Sequence, residues 1–239
     1  MKKDYISVII TAAGKSSRMG MGKSKQFIKI GNRMVIERTL DVFSSISEID
    51  EIIIVIRAQD KEFLVESILN KNDYNKNINV IIGGETREKS TLNGLKNLNP
   101  LSDIVICHDG ARPFIKRERI IELIREIKNN DAVVLGVPAK DTIKVVKRNG
   151  EVETTPNRDF LYNIQTPQIF KKDIIIKAYE LAEYESIRVT DDASLVEILG
   201  KKVKVVIGDY DNIKITTKED IYIGELILKE GKYENRDRL

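Results

Sequence analysis

The 239-residue sequence almost lacks the residue that forms the covalent staples of small extracellular domains: it contains one cysteine, Cys107. A single cysteine excludes an intrachain disulfide framework and a cysteine-based zinc site. Cys107 lies in the apolar run IVIC, which favours a small buried strand residue over a reactive thiol. A chain of this length buries about 70% or more of its unfolded surface, so folding needs no staple.

The sequence also lacks an excess of either charge, since 40 Lys and Arg residues against 37 Asp and Glu residues leave a net charge of +3. Such a balance gives no electrostatic footprint for nucleic acid, and any strong positive field must be local to a site. No apolar run approaches the roughly 20 residues of a membrane span. We therefore expect a cytoplasmic protein that binds neither nucleic acid nor membranes.

The start, MKKDYISVIITAA, shares two lysines, a short apolar stretch and small residues with signal peptides. Asp4 lies in its basic part and the apolar stretch is β-branched, so it predicts a first strand. Further short runs rich in Ile and Val alternate with segments of helical period. The predicted strands are YISVIIT, IIIVI, NVIIGG, DIVICHDG and AVVLGVP; the predicted helices are IERTLDVFSSI, DKEFLVESIL, KSTLNGLKNL and RERIIELIREI. Strands that are apolar on both faces indicate an α/β fold with an open, mostly parallel sheet and helices on both faces.

The pattern changes after Pro138, where DTIKVVKRNGEVETT alternates apolar and polar residues around Asn149-Gly150. That pair favours a type I′ turn and predicts a protruding hairpin arm. A lone hairpin is marginal in water, so the arm is expected to lie on its own domain or on a second subunit. The α/β rhythm then resumes with LYNIQTPQIF, helices near KDIIIKAYELAEY and DDASLVEILG, the strand KVKVVIG, and the helix TKEDIYIGELILK, which Thr217 could cap.

The first predicted strand runs directly into TAAGKSSRMGMGKSKQF, residues 11–27, a loop rich in Gly, Ser, Lys and Arg. In open parallel sheets, ligands bind at the carboxyl ends of the strands, so a phosphate site is expected here. The Walker pattern GxxxxGK[ST] fails because Ser17 stands where its first glycine should precede Gly22. The dinucleotide pattern GxGxxG fails from Gly14 because Ser16 stands at its second glycine position, and it fails from Gly20 and Gly22 because Lys25 stands at its third.

The remaining features of this loop are Ala12-Ala13-Gly14, where small side chains let a nucleotide lie against the backbone, and the cations Arg18 and Lys25. An arginine fork and a lysine point charge can clamp a polyphosphate. They can also stabilise the charge that develops in nucleotidyl transfer. On the loop alone, the alternative is an ordinary solvated basic loop.

Seven segments in order resemble one family. They are AAGKSSRMGMGKSKQF, GGETREKS (83–90), HDGARPF (108–114), PAKDTIK (138–144), NRDFLYNIQTPQIF (157–170), VTDDASLVE (189–197) and DNIKIT (211–216). Together they resemble the 2-C-methyl-D-erythritol 4-phosphate cytidylyltransferases, the CTP-using enzymes of the non-mevalonate isoprenoid pathway. No single motif decides this, but seven in order over residues 5–229 are specific.

The resemblance implies a role for each matching position. Arg18 and Lys25 would stabilise the transition state, and Arg158 and Lys214 would position the substrate phosphate. The implied CTP-binding residues are Ala12, Ala13, Gly14, Gly84, Glu85 and Ser90, and the implied substrate-binding residues are Asp109, Arg112, Thr142, Thr166 and Thr190. At Glu85 the sequence departs from better-known members, which have Asp there.

The resemblance also implies an architecture: a single Rossmann-like domain over residues 1–239, of the nucleotide-diphospho-sugar transferase type. The arm at about 139–160 would cross to a second subunit, giving a homodimer. Mg²⁺ would be held mainly by the CTP phosphates, with Asp109 as a nearby carboxylate and no assigned protein ligand. The DYD at 209–211 is similar to the DxD of glycosyltransferases, but its place in the order favours a turn.

His108, the only histidine, could be proposed as a general base. A phosphate monoester has a second pKa near ~6 and is already a dianion at neutral pH, so this chemistry needs no base. We therefore expect His108 to be a packing residue at a strand end.

Three alternatives compete with this interpretation. The nearest is a ribitol 5-phosphate cytidylyltransferase of teichoic acid synthesis, which shares the HDxxRP and QTPQ elements. The others are a nucleotide-binding regulator without turnover and a nicotinamide oxidoreductase, which the failed dinucleotide pattern disfavours.

Overall fold

The computed structural model describes residues 3–14 and 24–230. Its strands are β1 (Ile6–Thr11), β2 (Lys29–Ile30), β3 (Arg33–Met34), β4 (Ile49–Ile56), β5 (Asn77–Ile82), β6 (Ile104–Asp109), β7 (Ala132–Pro138), β8 (Val145–Val146), β9 (Val152–Thr154), β10 (Tyr162–Lys171) and β11 (Val203–Ile207). Its α-helices are α1 (Val35–Ser44), α2 (Lys61–Ser67), α3 (Arg87–Lys96), α4 (Arg117–Glu126), α5 (Lys172–Glu185), α6 (Asp192–Ile198) and α7 (Lys218–Lys229).

Seven of these strands form one sheet in the order β11-β7-β10-β6-β1-β4-β5. All neighbours are parallel except β10, which runs antiparallel to both β6 and β7. The mostly parallel sheet predicted from the sequence is confirmed. Because β10 is reversed, the residues near its start lie beside the carboxyl end of β6, where Gln168 pairs with Cys107 and Thr166 bonds the Asp109 backbone.

The core has two layers, one on each face of the sheet. On β1, Val8 and Ile10 pack with α1 and α4 on one face, while Ile9 packs with α5 and α6 on the other. All three isoleucine and valine side chains are fully buried, and full burial of such a side chain contributes about 1.5–3 kcal/mol. Cys107 is buried in the second layer as expected, and burial raises the pKa of its thiol well above the usual value.

The hairpin arm forms, but its turn differs from the prediction. Gly150 has a φ of 88°, whereas Asn149 does not adopt a positive φ. A type I′ turn needs both residues at positive φ, so that prediction was wrong. The Lys147 carbonyl accepts a bond from the Gly150 N–H at 3.0 Å, and the Lys147 N–H donates to the Glu151 carbonyl at 2.9 Å. The loop is therefore one residue longer, with its glycine at the left-handed position.

The last helix, α7, begins at the predicted N-cap residue, Thr217. Oδ2 of Asp220 accepts bonds from the backbone N–H groups of Thr216 and Thr217 at 2.7 and 2.8 Å. Just upstream, Ile215 is fully buried and donates its N–H to the Ala111 carbonyl at 2.8 Å. The segment that carries Lys214 is thus held from both sides.

We expect Asp220→Ala to lower the free energy of unfolding by about 1–2 kcal/mol, because two backbone donors at the helix start lose their acceptor. Urea denaturation followed by circular dichroism measures the change. Glu225→Ala, at an exposed position of the same helix, is the control and should stay within about 0.5 kcal/mol of wild type. Equal stability of the two variants would contradict the capping role.

Candidate active site

A cleft of about 430 Å³ opens at the carboxyl ends of β1, β4, β5 and β6. It gathers the loop after β1, the short turn at 25–27, the loop after β5, the end of β6 and the segment before α7. The predicted site residues that line it are Ala12, Ala13, Gly14, Lys25, Gly84, Glu85, Ser90, Asp109 and Lys214. Arg18, with most of the glycine-rich loop, lies outside the described residues.

The loop after β5 forms one wall through close backbone approach. A Cβ on Gly83 would lie 2.4 Å from the Ala13 Cβ, so only glycine lets the two loops touch here. Oγ of Ser90 accepts a bond from the Gly84 N–H at 3.1 Å and donates to the Thr86 carbonyl at 2.8 Å. Ser90 is 3% exposed, so it shapes the backbone turn instead of reaching into solvent.

Glu85 projects from this turn into solvent, with its side chain 88% exposed. Its carboxylate contacts the Lys89 ammonium at 3.3 Å, one helical turn further along. The longer side chain, relative to Asp, therefore has room at the cleft mouth and does not disturb the wall behind it.

A buried carboxylate surrounded by three cations forms the floor. Asp109, at the end of β6, is 7% exposed. Its Oδ2 lies 2.7 Å from Lys214 Nζ and 3.6 Å from Arg112 Nε, and its Oδ1 lies 3.7 Å from Arg87 Nε. Burial favours the neutral carboxyl, but the three positive charges outweigh it and hold the pKa of Asp109 below its usual range. Arg87 is also paired with the buried carboxylate of Asp192, so the cluster holds three positive and two negative charges, and the net positive charge that remains favours anions.

Arg87 is a site residue that the sequence reasoning missed. Its Nη1 and Nη2 donate to the two carboxylate oxygens of Asp192, each at 2.8 Å. Asp192 is fully buried and also accepts a bond from the Tyr179 hydroxyl. Burial lowers the pKa of Arg87, but the charge of Asp192 and its hydrogen bonds raise that pKa by a larger amount. The guanidinium therefore stays charged. Both residues stand in quoted motifs, but nothing in the sequence pairs positions 105 residues apart.

His108 is buried behind the floor, 1% exposed and 4.9 Å from the Phe43 ring centroid. Its Nε2 lies 3.2 Å from the Arg112 carbonyl, and its Nδ1 lies 3.1 Å from the Thr166 hydroxyl. That hydroxyl also accepts the Asp109 N–H at 3.1 Å, so it donates to Nδ1 while Nε2–H donates to the carbonyl. Burial lowers the pKa of His108 to about 3, so the ring is neutral with both nitrogens engaged, as a packing residue requires.

Two predicted substrate residues lie behind the cleft instead of lining it. Arg112 donates from Nη1 to the Asn212 carbonyl at 2.7 Å, and its side chain is 14% exposed. Thr166 is 5% exposed and its hydroxyl is used within the protein. Both residues contact Asp109: Arg112 contacts the Asp109 carboxylate, and the Thr166 hydroxyl accepts a bond from the Asp109 N–H.

The other predicted residues lie on exposed segments. Thr190 precedes Asp191, the N-cap residue of α6. Thr142 and Arg158 are exposed at the base of the arm, where Arg158 donates from Nη1 to the Lys140 carbonyl at 2.8 Å. None of the three is among the lining residues of the cleft that the described part of the chain forms.

The remaining acidic groups offer no preformed metal cage. Within residues 3–14 and 24–230, no three His, Cys, Asp or Glu side chains are grouped to hold a metal ion. The DYD segment is the predicted turn, and Asp209 accepts from Lys116 Nζ at 2.9 Å and Arg119 Nε at 3.0 Å. None of the helices in the described ranges is long and apolar enough for a membrane crossing.

A wider cleft of about 1100 Å³ lies at the opposite edge of the sheet, by the amino ends of β1 and β6. Several of its lysines already have partners, such as Lys171 with Asp131 at 3.5 Å and Lys172 with the Pro100 carbonyl at 3.0 Å. None of the predicted site residues in the described ranges lines it, so the smaller cleft is the candidate active site.

Comparison with known proteins decides the family. Residues 6–230 match the family model for 2-C-methyl-D-erythritol 4-phosphate cytidylyltransferase, IspD. The chain belongs to this family. It is 46% identical over 226 residues to the cytidylyltransferase of Clostridioides difficile, covering 95% of this chain and 94% of that one. The relative from Alkaliphilus metalliredigens is 45% identical over 228 residues, with 95% and 94% covered.

Solved structures of IspD proteins confirm the fold. The 4-diphosphocytidyl-2C-methyl-D-erythritol synthase from Anaerococcus prevotii superposes with a TM-score of 0.86 at 45% identity, covering 95% of this chain and all of that one. The cytidylyltransferase from Thermus thermophilus superposes with a TM-score of 0.76 at 25% identity, covering 94% and 99%. The resemblance seen in the sequence is confirmed, and the chain is an IspD-family nucleotidyltransferase enzyme.

The neutral His108 gives this IspD protein a distinctive pH dependence of stability. The unfolded imidazole binds a proton below about pH 6.5, whereas the folded one stays neutral down to about 3. Stability contributed by neutral His108 is therefore present above pH 6.5 and is lost as the pH falls toward 3. Between pH 7 and pH 5, wild type should lose about 2 kcal/mol that His108→Gln does not lose.

Urea denaturation of both proteins at pH 7, 6 and 5 measures this difference. The readout is the change in unfolding free energy with pH, so a lower stability of the variant at pH 7 does not affect it. Parallel pH profiles for the two proteins would contradict this, because they would show that folding leaves the pKa of His108 unchanged.

Proposed function

We propose that this chain transfers the cytidylyl group of CTP to 2-C-methyl-D-erythritol 4-phosphate, giving 4-diphosphocytidyl-2-C-methyl-D-erythritol and pyrophosphate for isoprenoid precursor synthesis. One observation carries the proposal: in a chain of the IspD family, Lys25, the Gly84–Ser90 turn and the Asp109–Lys214 pair line the same cleft. A nucleotide and an anionic acceptor can therefore meet there.

In this reaction the acceptor phosphate, already a dianion at neutral pH, attacks the α-phosphorus of CTP. A bond forms from the acceptor oxygen to that phosphorus, and the bond to the bridging oxygen breaks, with its electron pair leaving on pyrophosphate. Nothing needs to remove a proton, which agrees with a neutral, buried His108. Lys25, together with Arg18, is proposed to neutralise the charge on the α-phosphate and the leaving group.

The nucleotide is proposed to lie against the backbone of Ala12, Ala13 and Gly14, with its base at the Gly84–Ser90 turn. The close contact between Gly83 and Ala13 supports this, because it joins the two loops into one continuous backbone surface. Glu85, which is exposed at the cleft mouth, is proposed to contact the base from the solvent side.

The acceptor is proposed to bind on the cationic side of the floor. Lys214 has a 37% exposed side chain and lies 2.7 Å from Asp109, so the carboxylate orients its ammonium while leaving part of it open to the cleft. Arg112 and Thr166 fix Asp109 from behind. Thr190 is proposed as a further acceptor contact from the loop before α6.

Mg²⁺ is proposed to enter with the triphosphate. Asp109 is the one described Asp that lines the cleft, and it is already committed to three cations, which suits an ion held by phosphate oxygens and water. When bound, the ion neutralises part of the triphosphate charge.

We also propose that the enzyme acts in the cytoplasm, where CTP is available.

The arm is proposed to complete the site of a second copy, giving a homodimer. Its valines, Val145, Val146 and Val152, are 41, 52 and 56% exposed, so a single chain leaves about half of their surface uncovered. Exposed apolar residues grouped on one element mark an interaction surface. The arm would carry Arg158 and Thr142 to the partner's acceptor phosphate.

Lys25→Ala should lower kcat by about 10²–10³-fold, because it removes a donor aimed at charge that develops in the transition state. The assay is pyrophosphate release from CTP with 2-C-methyl-D-erythritol 4-phosphate as the acceptor. The control, Lys71→Ala, changes an exposed residue that does not line the cleft and should keep the wild-type kcat.

The same assay with ribitol 5-phosphate as a separate acceptor tests the substrate. Wild type should use 2-C-methyl-D-erythritol 4-phosphate selectively. Equal or better turnover of ribitol 5-phosphate would refute the assigned substrate.

Shared sites can be detected by mixing two inactive variants, Lys25→Ala and Arg158→Ala. If the arm crosses, heterodimers contain one site with both residues intact, and random exchange of equal amounts of symmetric dimers should restore about a quarter of wild-type activity. The subunits are mixed under conditions that permit exchange, and activity is followed to a plateau. Activity that never rises above the sum of the two variants would show that each chain supplies its own Arg158.

A further inference from the structure

The two residues that flank Lys25 are both buried and both tied to fixed parts of the sheet. Ser24 is 3% exposed and Gln26 is 2% exposed. Gln26 donates from Nε2 to the Ala12 carbonyl at 2.8 Å, at the end of β1. Ser24 donates from Oγ to Oδ2 of Asp60 at 2.6 Å, beyond the end of β4.

Asp60 is the group on which these contacts converge. Its Oδ2 also receives the Arg57 Nε at 2.7 Å and the Gln26 Nε2 at 3.4 Å, and the Arg57 Nη2 contacts the Ser24 hydroxyl. Asp60 is 8% exposed. A single buried carboxylate oxygen therefore links Ser24 and Gln26 to the strand end that carries Arg57.

The backbone between these anchors is closed by a short turn. The Phe27 N–H donates to the Ser24 carbonyl at 3.0 Å, and the Ile28 N–H donates to the Lys25 carbonyl at 3.2 Å. With Ser24 and Gln26 anchored, the position of the Lys25 backbone is fixed relative to β1 and β4. Lys25 and Arg57 both line the cleft.

Such anchoring matters because a lysine ammonium sits on a flexible four-carbon stem. Its contribution to the transition state depends on where the stem begins, and a displacement of about 1 Å can cost on the order of 10²-fold in rate. The hydrogen bonds of Ser24 to Asp60 and of Gln26 to Asp60 and to the Ala12 carbonyl restrain the point where this stem begins.

We propose that Asp60 is a positioning residue for nucleotidyl transfer, which holds Lys25 in place through Ser24 and Gln26; this inference rests on the function proposed above. Asp60 touches no substrate in this account. The competing interpretation is a purely structural link between the loop and β4, which would affect stability but not the chemical step.

Asp60→Asn keeps the shape of the side chain and removes its charge, and it should lower kcat by about 10-fold with less than a 3-fold change in either KM. In the Lys25→Ala background the same change should lower kcat no further, because the residue through which Asp60 acts is gone. Rates of pyrophosphate release from CTP for the four proteins give this cycle.

Asp41→Asn is a closely matched control. Asp41 pairs with Arg33 Nε at 2.8 Å with a 10% exposed side chain, and Asp60 pairs with Arg57 Nε at 2.7 Å with an 11% exposed side chain. Asp41 does not line the cleft. Its variant should lose comparable stability in urea denaturation and keep the wild-type kcat.

If Asp60→Asn does not fold, Ser24→Ala replaces it in the same experiment. This variant removes the hydrogen bond from the Ser24 hydroxyl to Asp60, which is a smaller perturbation. Its kcat should fall in the same direction and show the same loss of effect without Lys25. A wild-type kcat in these variants, or an equal fold-loss with and without Lys25, would overturn the proposal while leaving the function intact. A wild-type enzyme that releases no pyrophosphate would overturn both.

Discussion

The candidate active site depends on the ionisation of one buried carboxylate, Asp109. Lys214, Arg112 and Arg87 all direct their charge at it, and they come from three distant parts of the chain. A buried carboxylate is costly unless it is paired, and three buried or half-buried cations close together would repel one another without it. Asp109 therefore determines where the cationic groups lie. The net positive charge that remains on the floor of the cleft favours binding of a phosphate.

Two buried networks support this arrangement from opposite sides. The Thr166–His108–Arg112 chain of hydrogen bonds fixes the backbone of Asp109 without adding a charge. On the other side, Arg87 extends the network to Asp192, so ion pairs join the start of α3, the end of β6 and the start of α6. The cleft is thereby largely formed before any ligand binds, which is how electrostatic stabilisation becomes available without reorganisation.

Local sequence was enough to predict much of this, because strand period, glycine spacing and the order of motifs are short-range signals. Gly14 and Gly84 could be placed on loops at one sheet edge because parallel strands share that edge, and Ser90 could be placed at the start of the helix that follows the second loop. The pairing of Arg87 with Asp192 could not, since it joins two helix starts across the fold. The turn type at Asn149-Gly150 was mispredicted because an Asn-Gly pair also suits a longer loop in which only the glycine has a positive φ. The sequence also could not show that the Thr166 hydroxyl bonds the Asp109 N–H and His108 Nδ1, because these contacts join residues 57 and 58 positions apart.

The most direct test of the central role of Asp109 is to measure CTP affinity and pyrophosphate release in Asp109→Asn. The account predicts a folded protein that keeps CTP affinity within a few-fold, because the nucleotide surface at Ala13 and Gly84 is intact. It predicts that turnover with 2-C-methyl-D-erythritol 4-phosphate falls by about 10²-fold as Lys214 loses its orienting charge. A folded variant with wild-type turnover would contradict the account.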